Sequence, residues 1–376
     1  MIKLLTVLGT RPEVIKMSIV ISEFDKYFIN KIVHTGQNYD YHLNKIFFND
    51  LNIRKPDYFL NSKSKTSIEV ISKIYTGIEK IILKEKPDAF VIYGDTNSCL
   101  SAYVAKRYKI PIFHFESGNR CFDQNVPEEI NRRIIDQISD VNFVISENAR
   151  QYLIKEGINQ NYIIKTGSHL KEVINFYDEK ILSSDITKKL KIQNKNYFVA
   201  SIHREENLEN YKNFTEILNS LNALAQKYKK KIIFTTHPRT KKKLNKLNLK
   251  AHKNIIFIKP LAFTDYANLQ KNSLCVLSDS GTLTEESYLL NFPAISLRSS
   301  NERPEGFDSG VLIMSGTSQS RILDSLKIVI KNHNYNSSKN ILDDYEVNCI
   351  SRIAINTIVS YIDYVKKNVW NRDISS

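Results

Sequence analysis

The chain has 376 residues, 42% of them hydrophobic, a length beyond what one core usually supports, so an ordinary soluble globular protein with two domains is expected. Its formal net charge of +14 would suit a polyanion. The basic residues are mostly lysines spread through a chain rich in Ile and Asn, with no aromatic-basic stripe or reader motif, so nucleic acid is not expected as a partner.

From the N-terminus, the first ten residues carry only a short apolar run, and no later stretch approaches the roughly 18 residues of a membrane span. No membrane segment and a cytoplasmic location are the expectation. Short β-branched runs then recur between helix-like segments: IKLLTVL (2 to 8), KIVHTG (31 to 36), DAFVIYG (88 to 94), IPIFHFE (110 to 116), VNFVIS (141 to 146) and YIIKTG (162 to 167). Runs apolar throughout read as strands buried on both faces, hence a parallel sheet with crossover helices. After a polar stretch (178 to 196) the rhythm restarts with YFVASIH (197 to 203), KIIFTTH (231 to 237), NIIFIKP (254 to 260), LCVLSDS (274 to 280) and FPAISLR (292 to 298). The closing segment, 347 to 367, is periodic enough for one long helix. Four cysteines (Cys99, Cys121, Cys275, Cys349) lie far apart without a C-x-x-C pair, which argues against a zinc cluster or a disulfide framework.

The expected fold is therefore α/β: two doubly wound, Rossmann-like domains, with ligand-binding loops at the strand carboxyl ends facing an interdomain cleft. Residues 1–175, with the C-terminal helix (about 350–376) packing back onto them, form the first; residues 176–349 form the second.

Strand one ends in GTRPE (9 to 13), neither a dinucleotide-binding G-x-G-x-x-G nor an NTP-binding Walker motif. The spacing puts Pro12 in the first turn of a helix, Arg11 on the loop before it, and Lys16 about one turn on. Two cations there suit a phosphate or diphosphate, although the motif taken alone reads more readily as a plain strand-to-helix turn with solvated charges. Asp95 closes a strand, Glu116 closes the next, and Glu128 and Glu129 follow Pro127 at a helix start. Singly, such acids are caps or dipole partners, but three converging on one rim are harder to dismiss. His203 and His237 end strands of the second half, as structural histidines or as a facing pair. After the strand LCVL, Ser280, Gly281 and Thr282 open a helix, either as an anion-binding turn or as an ordinary cap, with Glu286 placed to accept from a vicinal diol. The H-x-E at 114 to 116 lacks the P-C-x-x-C of a zinc deaminase, so no metal is expected.

Taken together, GTRPE with Lys16, GDT (94 to 96), HFESG (114 to 118), PEE-x-NRR (127 to 133), SIHREEN (201 to 207), SDSG-x-x-x-EE (278 to 286) and ERPEG (302 to 306) resemble the non-hydrolysing UDP-N-acetylglucosamine 2-epimerase family. The hydrolysing relatives tend to carry G-T-R-A-D in place of GTRPE. The resemblance implies a GT-B-like fold, usually a homodimer, a UDP-sugar as substrate, and neither metal nor nicotinamide as cofactor. It implies C2 inversion by loss and re-addition of UDP, supplying surface polysaccharide such as capsule or O-antigen. Carried over by position, Asp95, Glu116, Glu128 and His203 match catalytic residues. Arg11, Lys16, His237, Tyr266, Ser280, Gly281, Thr282, Glu286 and Arg303 match substrate-binding positions, Tyr266 against uracil. Thr282 stands where the family more commonly has a second glycine.

TGQNYDY (35 to 41) departs from the T-G-Q-H-R of the N-acetylglucosamine enzymes. With FFNDLNIRKPDYFLN (47 to 61), GNRCFD (118 to 123) and HPRT (237 to 240), it is similar to the branch that makes UDP-N-acetyl-L-fucosamine from UDP-2-acetamido-2,6-dideoxy-L-talose, the substrate favoured on the sequence. UDP-N-acetylglucosamine or UDP-N-acetylmannosamine is the alternative, a GT-B glycosyltransferase a more distant one, and a non-catalytic nucleotide-sugar binding module a different class.

Overall fold

The computed structural model describes residues 1–37, 48–208, 210–236, 240, 243–244, 250–335 and 342–371. The chain forms two units, Met1–Phe176 with Asp343–Ser376, and Tyr177–Leu342.

In the first unit seven strands, β1 (Lys3–Leu8), β2 (Ile29–His34), β3 (Tyr58–Phe59), β4 (Ala89–Tyr93), β5 (Ile112–Ser117), β6 (Val141–Val144) and β7 (Ile163–Lys165), build one sheet in the order β3-β2-β1-β4-β5-β6-β7. Every pairing is parallel. The apolar runs explain this: Ala89 to Tyr93 are buried without exception, which only a strand covered on both faces allows. The strand order reverses at β1 and β4, the crevice where such sheets bind ligands.

Helix α1 (Arg11–Tyr27) follows β1, and α2 (Ser67–Glu85) buries Val70, Ile74, Ile78, Ile81 and Ile82 as one stripe against the sheet. Helix α3 (Pro127–Ile138) precedes β6, and α4 (His169–Phe176) packs on α1.

The second unit repeats the plan with β8 (Tyr197–Ser201), β9 (Lys231–Thr235), β10 (Ile255–Ile258), β11 (Cys275–Ser278), β12 (Ala294–Ser296) and β13 (Leu312–Met314). Its order is β10-β9-β8-β11-β12-β13, all parallel, so the reversal falls between β8 and β11. Helix α5 (Tyr211–Tyr228) and helix α8 (Gln319–Tyr335) cover one face with Ile217, Leu221, Ile322 and Leu326 in a core with Phe198 and Phe234. Helices α6 (Phe263–Lys271) and α7 (Leu283–Leu290) flank β11 in sequence.

The last helix, α9 (Ile350–Trp370), belongs to the first unit, where its stripe of Ile350, Ala354, Ile358, Ile362 and Val365 is buried. It packs on α1, and the Ser351 hydroxyl donates to Glu172 at 2.6 Å. Among the described residues no helix is long and apolar enough to cross a membrane.

Two strands, β3 and β13, lie outside the runs read from the sequence; β3, with two residues, is too short to establish a period. Arg11 is the first helical residue rather than part of the loop, because Thr10 is extended (φ −131°, ψ 162°) and the Glu13 carboxylate reaches back to its N–H at 3.3 Å.

Gly118, just beyond β5, has φ +79°, and a Cβ there would meet the Ala149 carbonyl oxygen at 2.6 Å. Gly118→Ala is therefore expected to cost about 2–4 kcal/mol through backbone strain and overpacking, read as a lower urea midpoint at unchanged m-value. A midpoint equal to wild type would contradict this.

Candidate active site

Strands β1, β4 and β5 are neighbours, so the loops at their carboxyl ends share one rim of the first unit. Lys16, buried on α1, puts its Nζ 2.7 Å from Glu116 Oε2 and over the Tyr93 ring at 5.6 Å from its centroid.

Glu116 earns its position by strain. Its φ is +63°, and the β5–β6 register slips between Phe115 and Ser117. A left-handed non-glycine residue costs about 1–2 kcal/mol, and the bulge re-aims a side chain that strict alternation would direct elsewhere.

Buried groups support this strand end. His114 Nε2 lies 2.8 Å from the Gly94 carbonyl oxygen, and its Nδ1 lies 3.0 Å from Asp136 Oδ1. Arg120 donates to Asp136 at 2.7 Å and to Glu156 at 2.6 Å, while Gly118 N–H donates to Asp136 at 3.1 Å. Burial opposes charge on Asp136, but the neighbouring His114 and Arg120 overcome it and hold the carboxyl below its usual range. His169 stands edge-on to Tyr93 and Phe115, each 5.1 Å away. Burial and nearby Lys16 push its pKa down to about 3, so it is neutral at physiological pH.

Asp95 follows Gly94 at the end of β4. Arg132 donates to its Oδ2 through Nε at 2.8 Å and through Nη2 at 2.7 Å, and the Asn131 amide donates to its backbone oxygen at 2.8 Å. The third nitrogen of the same guanidinium reaches Glu129 at 3.0 Å.

Glu129, buried at the start of α3, also accepts from the N–H groups of Cys121 and Phe122. Burial would raise its pKa, but these donors and Arg132 hold it below the ordinary carboxylate range. Glu129 is thus a structural anion, while Glu128, half-buried beside it, lies one turn from Arg132 on the same helix face. The first unit therefore brings Arg11, Lys16, Asp95, Glu116 and Glu128 to adjoining strand ends and helix starts.

In the second unit, buried Asp279 gathers the loop after β8, accepting from His203 N–H at 3.1 Å, Arg204 N–H at 3.1 Å and the Asn207 amide at 3.1 Å. The exposed His203 ring has its Nδ1 3.4 Å from Asp279 Oδ1.

The turn at Ser280, Gly281 and Thr282 leads into α7 with Thr282 at φ −79°, a conformation that needs no glycine. Thr282 Oγ1 lies 2.9 Å from Ser280 Oγ and donates to Glu286 at 2.8 Å; Gln270 donates to the other Glu286 oxygen at 2.7 Å. The threonine thus orients Glu286. Gly281 is under tighter demand, since a Cβ would lie 2.4 Å from Glu302 Oε1.

Arg303 is buried behind this turn, donating to the Gly281 carbonyl at 3.1 Å and pairing with Glu285 at 2.9 Å. Tyr266 is half-buried on α6. His237, Tyr39 and Asp40 lie outside the described residues.

The sequence reading missed Arg132, Asp136 and Asp279 as organisers. Only the spacing of Glu129, Arg132 and Arg133 on one helix hinted at an ion-paired face.

Replacing Arg132 by Met leaves buried Glu129 to the longer 3.5 Å ion pair with the more exposed Arg133, an expected loss of about 3–5 kcal/mol in denaturant unfolding. Asp95→Asn, at a more exposed partner, should cost well under half of that. Equal losses would refute the assignment of Glu129 as the structural partner.

Residues 22–358 match the family described as UDP-N-acetylglucosamine 2-epimerase. The chain is 38% identical over 348 residues to the UDP-N-acetylglucosamine 2-epimerase of Methanocaldococcus jannaschii, covering 87% of this chain and 92% of that one. Its fold superposes on a UDP-N-acetylglucosamine 2-epimerase structure from Rickettsia bellii with a TM-score of 0.92 at 48% identity, covering 99% and 100% of the two chains. The TM-score is 0.88 at 36% identity, over 96% and 100%, against the Methanocaldococcus jannaschii enzyme in complex with UDP-GlcNAc and UDP. The fold is thus GT-B-like, and the chain belongs to the UDP-N-acetylglucosamine 2-epimerase family, isomerases that invert C2 of UDP-sugars without hydrolysing them.

Proposed function

We propose that this protein interconverts UDP-N-acetylglucosamine and UDP-N-acetylmannosamine by eliminating UDP to a 2-acetamidoglycal and adding it back. The observation that carries the reading is the carboxylate of Glu116, set on a left-handed backbone and 2.7 Å from Lys16, on the strand next to the one that Asp95 follows. Similarity to UDP-N-acetylglucosamine 2-epimerases supports the choice of sugar.

The chemistry explains why such a site suits the reaction. A hydrogen on C2 of an N-acetylhexosamine is not acidic, since the anomeric carbon beside it is an acetal with no carbonyl to hold a carbanion. If the C1–O bond to UDP breaks as the proton leaves, the electron pair forms the glycal double bond and the negative charge departs on the diphosphate. Re-addition of UDP with protonation of the opposite face gives the epimer.

Two demands follow. Cations and amide dipoles must stabilise charge on the leaving diphosphate, the role we assign to Arg11, Lys16, His203, Arg303 and the turn at 280 to 282, with His237 and Tyr266 as further substrate contacts and Glu286 on the ribose. Carboxyls must take and return a proton at C2, the role of Glu116 and Glu128, with Asp95 orienting them or taking one part. Lys16 stands at the meeting of both demands, since it pairs with Glu116 where a diphosphate would also draw its charge. Work in the cytoplasm as a homodimer, feeding polysaccharide synthesis, completes this reading.

A second reading rests on TGQNYDY (35 to 41), which differs from the N-acetylglucosamine enzymes and resembles the branch acting on UDP-2-acetamido-2,6-dideoxy-L-talose. Separate incubations with the two sugars, followed by NMR of the C2 configuration, decide between them. The first reading expects UDP-N-acetylmannosamine from UDP-N-acetylglucosamine without any acceptor, carrying solvent deuterium at C2. Exclusive turnover of the L-talose sugar would replace it with the second, and sugar transfer that requires an acceptor would reject both.

Asp95→Asn, Glu116→Gln and Glu128→Gln should each lower kcat by about 10²- to 10⁴-fold while leaving UDP affinity largely intact. Near-wild-type kcat in two of the three would overturn the assignment.

A further inference from the structure

Glu13, the last residue of GTRPE, is buried at the start of α1, where an acid usually stays in water beside the helix dipole. Its Oε2 accepts from the N–H groups of Gly9 at 2.6 Å and Thr10 at 3.3 Å. Its Oε1 accepts from the hydroxyls of Thr10 at 2.9 Å and Thr96 at 2.7 Å. The first three bonds are local and would serve any helix start. The fourth is not local, since Thr96 lies 83 residues away, next to Asp95 on the loop after β4.

Thr96 is held in turn: its Oγ1 accepts from the Gln37 amide at 2.9 Å, so this oxygen joins two loops and the start of α1. Gly9 leaves room for the junction, since a Cβ there would lie 1.6 Å from Ser98 Oγ.

We propose that Glu13 is a positioning residue for the epimerase reaction, fastening the turn that carries Arg11 to the loop that carries Asp95 through the Thr96 hydroxyl. The inference rests on the proposed roles of Arg11 and Asp95. The fastening bears on the chemistry because one turn faces the leaving group and the other the reacting carbon, and misplacement by about 1 Å can cost about 100-fold.

The junction is also sensitive to pH. Burial raises the Glu13 pKa to about 7, the bonds from Thr96, Gly9 and Thr10 pull against it, and the charge of Asp95 adds to the rise. The titratable groups facing it are Asp95 from the β4 loop and Cys99 from the turn after it, whose thiol burial, Asp95 and Glu13 push up. An acid whose folded pKa lies above its usual 4.5 stabilises the fold most below that value and loses the contribution as pH rises through about 7. Only the ionised carboxylate accepts from all four donors, so full fastening is reached above about pH 7, where Glu13 contributes least to stability.

Thr96→Val tests this, since it cuts the long-range bond and leaves the local ones. The variant should lose about 10- to 100-fold in kcat with KM within about threefold. The acid limb of its pH profile should move to higher pH, because the lost hydroxyl was lowering the Glu13 pKa, and Thr96→Ser should recover most of the activity. Glu13→Gln, which copies the protonated acid, should abolish the part of the stability difference that titrates near pH 7. A Thr96→Val enzyme with wild-type kcat and an unmoved acid limb, or one whose loss merely tracks a lower Tm, would overturn the inference. Absence of epimerisation by the wild-type protein would instead overturn the proposed function on which it rests.

Discussion

Two acids of the first unit depend on one guanidinium. Arg132 is buried, and three of its nitrogens hold two carboxylates: Asp95 at the end of β4 and Glu129 at the start of α3. Removing a planar fork from water is costly unless every donor finds a partner, and here both partners are charged and the geometry is rigid. Because Glu129 also caps the chain at Cys121 and Phe122, the same ion fixes the loop leaving β5, the helix that follows, and the strand end beside it. Glu128 inherits its place from that arrangement.

Parallel topology makes such economy available. With every strand running one way, all carboxyl ends open on one rim, and helices begin there, so cations and acids from distant parts of the chain become neighbours. The second unit uses the same device with the opposite charge at its centre. There a buried aspartate, Asp279, collects N–H groups from the loop after β8, and arginines behind the turn at 280 to 282 tie down its carbonyls. One unit is organised around a buried cation and presents acids; the other is organised around a buried anion and presents the histidine and the turn.

The fold was legible because long apolar runs such as Ala89 to Tyr93 tolerate no half-exposed sheet, and because their rhythm restarts after a polar stretch. The candidate site was legible as residues at strand ends, Asp95 and Glu116 above all. What stayed hidden was the division of labour among like residues. Glu128 and Glu129 are adjacent acids in one first turn, and nothing in their order says that one faces inward to Arg132 and the Cys121 loop. Glu13 stands out only as part of GTRPE, since its bond to Thr96 spans a separation no local pattern encodes. Arg303 is legible only as a substrate-binding cation, and nothing in the sequence says that Glu285 and the Gly281 carbonyl draw it under the turn. The left-handed backbone of Glu116 is likewise invisible in sequence, because glycine would be the ordinary choice there.

The central claim is that C2 inverts only because the bond from C1 to the diphosphate oxygen breaks. Positional isotope exchange addresses it directly, using UDP-N-acetylglucosamine, or the L-talose sugar should that be the one turned over, labelled with ¹⁸O in the bridge between C1 and the β-phosphorus. Transient release of the diphosphate lets its oxygens rotate, so the account predicts that recovered substrate and epimer carry the label in non-bridging positions at a rate comparable to epimerisation. Epimerisation with the label retained wholly in the bridge would contradict it.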